Sequence, residues 1–123
     1  MERSHDVPIP GLTIQSRIPT VVMQAALEGT IEVTSTNCLV VRILHSTAPY
    51  VDSYTDVDVA WPLGWSAGIR EGTPVLVDAD GQVVARLGDE VRIGGGFIEA
   101  ARIGVAPCTG QKGTFEAYQL SRL

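Results

Sequence analysis

The chain reads as an all-β domain, a small closed or partly open antiparallel barrel (OB-like), with a β-sandwich as the alternative and little helix. Three observations predict this. Its 123 residues include 13 glycines and seven prolines, so turns are frequent and long helices are not expected. Apolar and polar residues alternate with a period of two over short segments such as Ile31, Glu32, Val33, Thr34. And Asp80-Gly81 stands between two β-branched runs, the strongest short-range hairpin signal.

Each element follows in order. Residues 1–19 form an extended N-terminal arm broken by Pro8, Pro10, Gly11 and Pro19, ahead of a single barrel domain over 20–123. The arm is either a loose terminus or a strand laid along a neighbouring subunit, because Val7, Ile9, Leu12, Ile14 and Ile18 are more apolar than a tail requires. Residues 21–23 open a strand, Gly29 interrupts it as a bulge or bend, and Ile31 and Val33 resume it. Residues 24–28 have a single helical turn as their alternative, too short to stand alone. Residues 38–44 are an apolar run of strand length. Residues 50–61 follow as a strand, with Val51, Val57 and Val59 on one parity and Asp52, Tyr54, Asp56 and Asp58 on the other. Residues 61–65 make a turn with two large anchors. The hairpin pairs 74–78 with 82–86, a turn at Gly88-Asp89 leads to a strand at 90–93, and Gly94-Gly95-Gly96 closes it. Strands over 97–105 and 114–120 complete about seven, in line with a small barrel or sandwich.

Charge narrows the function. The formal net charge is −5 and the nine Lys and Arg residues are scattered, so a phosphate backbone is not an expected partner. No stretch approaches the roughly 20 apolar residues of a bilayer span. The polar, proline-bearing first ten residues do not read as a secretory signal, so the protein acts where it is made or is a mature form.

The motifs that carry chemistry favour structural readings. Gly64-Trp65-Ser66-Ala67-Gly68 matches G-x-S-x-G, but both His5 and His45 precede Ser66 and no helical pattern follows, against the hydrolase elbow. Asp78-Ala79-Asp80-Gly81 starts like a calcium loop, yet the sixth and twelfth positions hold Val83 and Asp89. Neither Gly94-Gly95-Gly96 nor residues 109–114 match a phosphate loop. No enzyme activity and no cofactor are expected. Asp52, Asp56 and Asp58 are the weak candidates for a cation site, against a solvated face that protects an edge strand. Trp61, Trp65 and Tyr54, with Tyr50 nearby, line a pocket or sticky patch unless the tryptophans plug the barrel end. Cys38 and Cys108 are either two buried small side chains or one bridge.

The run Trp61-Pro62-Leu63-Gly64, then residues 77–91 and Gly94-Gly95-Gly96, resembles a WPxG…DGxVVAxxGDxV…GGG pattern of small uncharacterised bacterial domains, many in exported or lipoprotein-type actinobacterial proteins. Residues 26–30 and the Asn37-Cys38-Leu39 turn fit it as well. The resemblance spans roughly residues 25–110 and implies a fold, not an activity. It also implies an oxidising compartment and a Cys38–Cys108 bridge, although no lipobox cysteine stands near the start. The expected function is a non-catalytic binding or interaction domain with a protein partner or self-association. The alternative is a structural subunit of a homo-oligomer or larger assembly whose arm contacts neighbours.

Overall fold

The computed structural model describes residues 7–19, 23–48 and 51–123, with backbone alone at 45–48, 51 and 52. Of the strand expected at residues 21–23, Val21 and Val22 lie outside the described residues, as does Tyr50. Among the described residues ten strands follow in order: β1 (Thr13–Ile14), β2 (Ala25–Val33), β3 (Leu39–Ala48), β4 (Val51–Val57), β5 (Val59–Trp61), β6 (Ser66–Arg70), β7 (Thr73–Val77), β8 (Val83–Arg86), β9 (Glu90–Glu99) and β10 (Gly113–Arg122). One 3-10 turn, Ala100–Ile103, stands between β9 and β10. Among the described residues no helix is long and apolar enough to cross a membrane.

The architecture is all-β and a partly open barrel. A strongly curled sheet runs β1-β5-β10-β9-β2-β3-β4, and β6-β7-β8 form a second, small sheet. Only Asp58 separates β4 from β5. β4 pairs with β3 (Val41 opposite Val57), whereas β5 pairs with β10 (Val59 opposite Phe115), so the sheet curls back on itself through one kinked strand. With β4 and β5 counted together, the ring is β2, β3, β4/β5, β10, β9. The third ring strand in chain order, β4/β5, lies parallel to the fifth, β10, the five-stranded arrangement of an OB-type barrel. β1 adds a second parallel pairing on the far side of β5.

Apolar alternation drives this closure. Leu27, Ile31, Leu39, Val41, Val57, Val59, Trp61, Val91, Ile93, Phe115 and Ala117 turn inward and form one core cluster. Leu76 and Ala85 of the small sheet join the same cluster, so that sheet packs against the barrel rather than forming a core of its own.

Glycine accounts for the main departures from the sequence expectation. β2 runs unbroken through residues 25–28 and through Gly29 to Thr30, where its pairing passes from β9 to β3. A Cβ at Gly29 would stand 2.6 Å from the Arg42 carbonyl oxygen, so this glycine permits a close crossing. The triple glycine does not close a strand either. β9 continues to Glu99 because Gly95 lies against the Glu116 backbone and Gly96 beneath the Met23 side chain, with no room for a Cβ at either. Beyond Glu99 the expected strand gives way to the 3-10 turn, which ends at left-handed Gly104 (φ 67°). β6 was not expected at all: Ser66, the serine of the G-x-S-x-G match, opens this strand opposite Val77 instead of a strand-to-helix elbow.

Candidate functional site

The arm is the element that shapes the site. Proline punctuation keeps it extended, and its edge is then satisfied by backbone pairing. The Gly11 N–H donates to the Asn37 carbonyl at 2.8 Å, and Leu39 N–H donates to the Gly11 carbonyl at 3.0 Å. Further on, the Gln15 N–H donates to the Trp61 carbonyl at 2.8 Å. Leu12 and Ile14 pack on the core while Thr13 and Gln15 are buried on the opposite parity, so both faces of this short strand are covered within its own chain.

The β9–β10 connection covers the outer side of the arm. The Ser16 hydroxyl donates to the Ile103 carbonyl at 2.7 Å, and the Cys108 N–H donates to Thr13 Oγ1 at 2.9 Å. Cys108 and Cys38 are joined in a disulfide with Cα atoms 5.8 Å apart. The arm passes directly against this bridge, since a Cβ on Gly11 would come within 2.8 Å of Cys108 Sγ.

Gln15 is 3% exposed, unusual for a glutamine. Its Nε2 donates to the Ala60 carbonyl at 2.8 Å and to the Ala117 carbonyl at 2.6 Å. Both amide hydrogens are thereby used, and the amide orientation is settled by two acceptors. The side-chain oxygen Oε1 receives no donor among the described residues. Trp61 Nε1 is the one fully enclosed side-chain polar atom without a partner among them, so Oε1 keeps an opening. A cavity of about 320 Å³ adjoins the residue, walled by Gln15, Ile18, Pro19, Pro62, Leu63 and Ala117, with Arg17 and Tyr118 also on its lining.

The cavity lining therefore combines apolar side chains, a buried glutamine and one cation. Arg17 is exposed and has no carboxylate partner among the described residues. The Tyr118 hydroxyl accepts the Met23 N–H at 3.2 Å and donates to Glu116 Oε1 over 3.4 Å. On the other side of Tyr118 a more polar hollow of about 440 Å³ lies over Gly94 and Gly95, between Arg92 and Gln119.

The residues singled out from sequence are distributed over three places. Trp61 is fully buried and stacks on Trp65 with ring centroids 5.6 Å apart and planes 7° apart, so this pair belongs to the core and its margin. The turn after Trp61, Pro62-Leu63, is what lines the cavity. Tyr54 stands elsewhere, half exposed on the outer face of β4 with the Arg42 guanidinium 4.1 Å from its ring centroid. Arg42 in turn grips Asp56 with two hydrogen bonds of 2.7 and 3.1 Å, and that bonding raises its pKa.

The carboxylates expected on one solvated face do not share one. Asp58 is 1% exposed because it occupies the kink between β4 and β5 and turns to the β9–β10 connection, where the Thr109 hydroxyl and N–H donate to it. Asp56 is held by Arg42, and the Asp52 side chain lies outside the described residues. Among the described residues no three His, Cys, Asp or Glu side chains cluster as a metal site would need. Gln15, Arg17 and Ile18 were not singled out as a site, although the alternation of Leu12 and Ile14 with Thr13 and Gln15 was available as a signal of a strand.

Comparison with protein-family models, curated proteins and solved structures finds no match for this chain.

Proposed function

We propose that the domain is a non-catalytic binding module that receives an apolar group in the cavity between the arm and β10. The observation that carries this reading is an apolar pocket of about 320 Å³ lined in part by a buried glutamine whose side-chain oxygen has no donor among the described residues. That volume and that mixture of apolar wall with few polar groups are what small-ligand sites present. The barrel supports the reading mechanically: Ala117 is on a ring strand and Pro62 follows one, so the walls are pre-formed and little ordering is needed on binding.

The test is a two-dimensional NMR titration of the whole chain with toluene. Resonances of Ile18, Leu63 and Ala117 are expected to shift saturably, and Leu63→Trp, at a half-exposed position on the rim, is expected to abolish those shifts while the rest of the spectrum stays native. Toluene shifts confined to other surfaces would overturn the reading.

The subunit alternative draws on Val7 and Ile9, which are 36% and 62% exposed. Thr13 and Gln15 are already committed within their own chain, so an intersubunit contact by the arm would be limited to its outer residues. Removal of residues 1–9 with an unchanged solution mass would dismiss it.

A further inference from the structure

Resting on the cavity reading, we propose that the ligand is an aromatic carboxylate whose ring bears a hydrogen-bond donor, an indole or phenol type of acid. The ring enters toward Gln15 and the carboxylate stays outside with Arg17.

Each part of that chemistry answers a group of the cavity lining. Gln15 has spent both amide hydrogens on the Ala60 and Ala117 carbonyls, so its Oε1 can only accept. A wholly apolar ligand leaves that acceptor unpaired and so binds more weakly than one that satisfies it. A ring N–H or O–H satisfies it. Ile18, Pro19, Pro62, Leu63 and Ala117 supply the apolar walls, and two of them are rigid proline rings, surfaces suited to a flat aromatic group. Arg17 is exposed on the lining without a carboxylate of its own among the described residues, so it favours an anion and disfavours an amine. The cavity, about 320 Å³, accommodates one such molecule. A free small acid and the C-terminal Trp or Tyr of a peptide share this chemistry.

The experiment extends the NMR titration of the whole chain to four probes: indole-3-acetate, 1-methylindole-3-acetate, 3-methylindole and a hexapeptide ending in tryptophan. Indole-3-acetate is expected to shift Gln15, Ile18, Leu63 and Ala117. Methylation of the ring nitrogen removes the donor and should weaken binding about tenfold, the scale of one unpaired buried acceptor. Loss of the carboxylate in 3-methylindole, or Arg17→Gln in the protein, should each weaken binding about threefold, as an exposed ion pair allows. Arg17→Gln should weaken 3-methylindole less than it weakens indole-3-acetate. Tighter binding by the peptide assigns the ligand to a chain terminus, and tighter binding by indole-3-acetate assigns it to a free acid. Equal binding of the methylated and unmethylated acids would overturn the proposal. If 3-methylindole shifts the cavity residues while donor and carboxylate make no difference, the ligand chemistry falls and the binding-module reading stands. Absence of shifts at the cavity with every probe, toluene included, removes both.

Discussion

Gln15 holds the arm, β5 and β10 together through one amide group. Its two donors satisfy carbonyls from two different strands, Ala60 and Ala117. Gln15→Ala should therefore destabilise the protein by about 3 kcal/mol, since two buried acceptors lose their donors. Urea denaturation measures it, and a loss below about 1 kcal/mol would mean that those carbonyls find other partners. Asp58 works similarly at the β4–β5 kink, with Thr109 donating to its carboxylate and Thr114 Oγ1 donating to its carbonyl at 2.9 Å. Neither role was legible in sequence. Asp58 shares the parity of Asp56, and only the kink turns it inward.

Strand continuity is decided by how closely neighbouring backbones approach. Gly95 faces the Glu116 carbonyl across the β9–β10 pair and has no space for a side chain, whereas Gly110 has open space and only its φ of 81° to defend. Gly95→Ala should cost about 3 kcal/mol or more through backbone displacement, and Gly110→Ala about 1 kcal/mol through its left-handed conformation. Paired thermal or urea unfolding of the two variants checks the ranking, and equal losses would contradict it. A run of three glycines reads as a turn in one dimension. Its use as a flat strand segment depends on β10 and Met23 lying over it, which no local pattern encodes. By contrast the β7–β8 hairpin was readable because its signal is local: Asp78 Oδ1 accepts the N–H groups of Asp80 at 2.9 Å and Gln82 at 3.0 Å, and Gly81 takes φ 82°.

At the scale of the whole molecule the Cys38–Cys108 bridge joins the β2–β3 turn to the β9–β10 connection over a separation of 70 residues, with the arm threaded beside it. In the chain-entropy account a closed loop of that length stabilises by about 4 kcal/mol. The double variant Cys38→Ala, Cys108→Ala should lose about that amount in urea unfolding and should loosen residues 11–16, seen as faster amide exchange at Leu39 and Gln15. Unchanged exchange at those positions would show that the arm is held by its hydrogen bonds alone.

The sequence by itself determined the all-β class, the hairpin at residues 78–82 and the alternation of β2. Period-two alternation and turn chemistry act over a few residues and need no distant partner. The tertiary structure decided what Trp61, Tyr54 and the aspartates do, that the glycine triplet continues a strand, and that the arm and Gln15 line a cavity. Those outcomes depend on contacts between segments far apart in the chain: the strand kink at Asp58, the parallel seating of β1 on β5 and the closure of β10 over both. A side chain's surroundings there are set by barrel curvature, not by its neighbours in sequence.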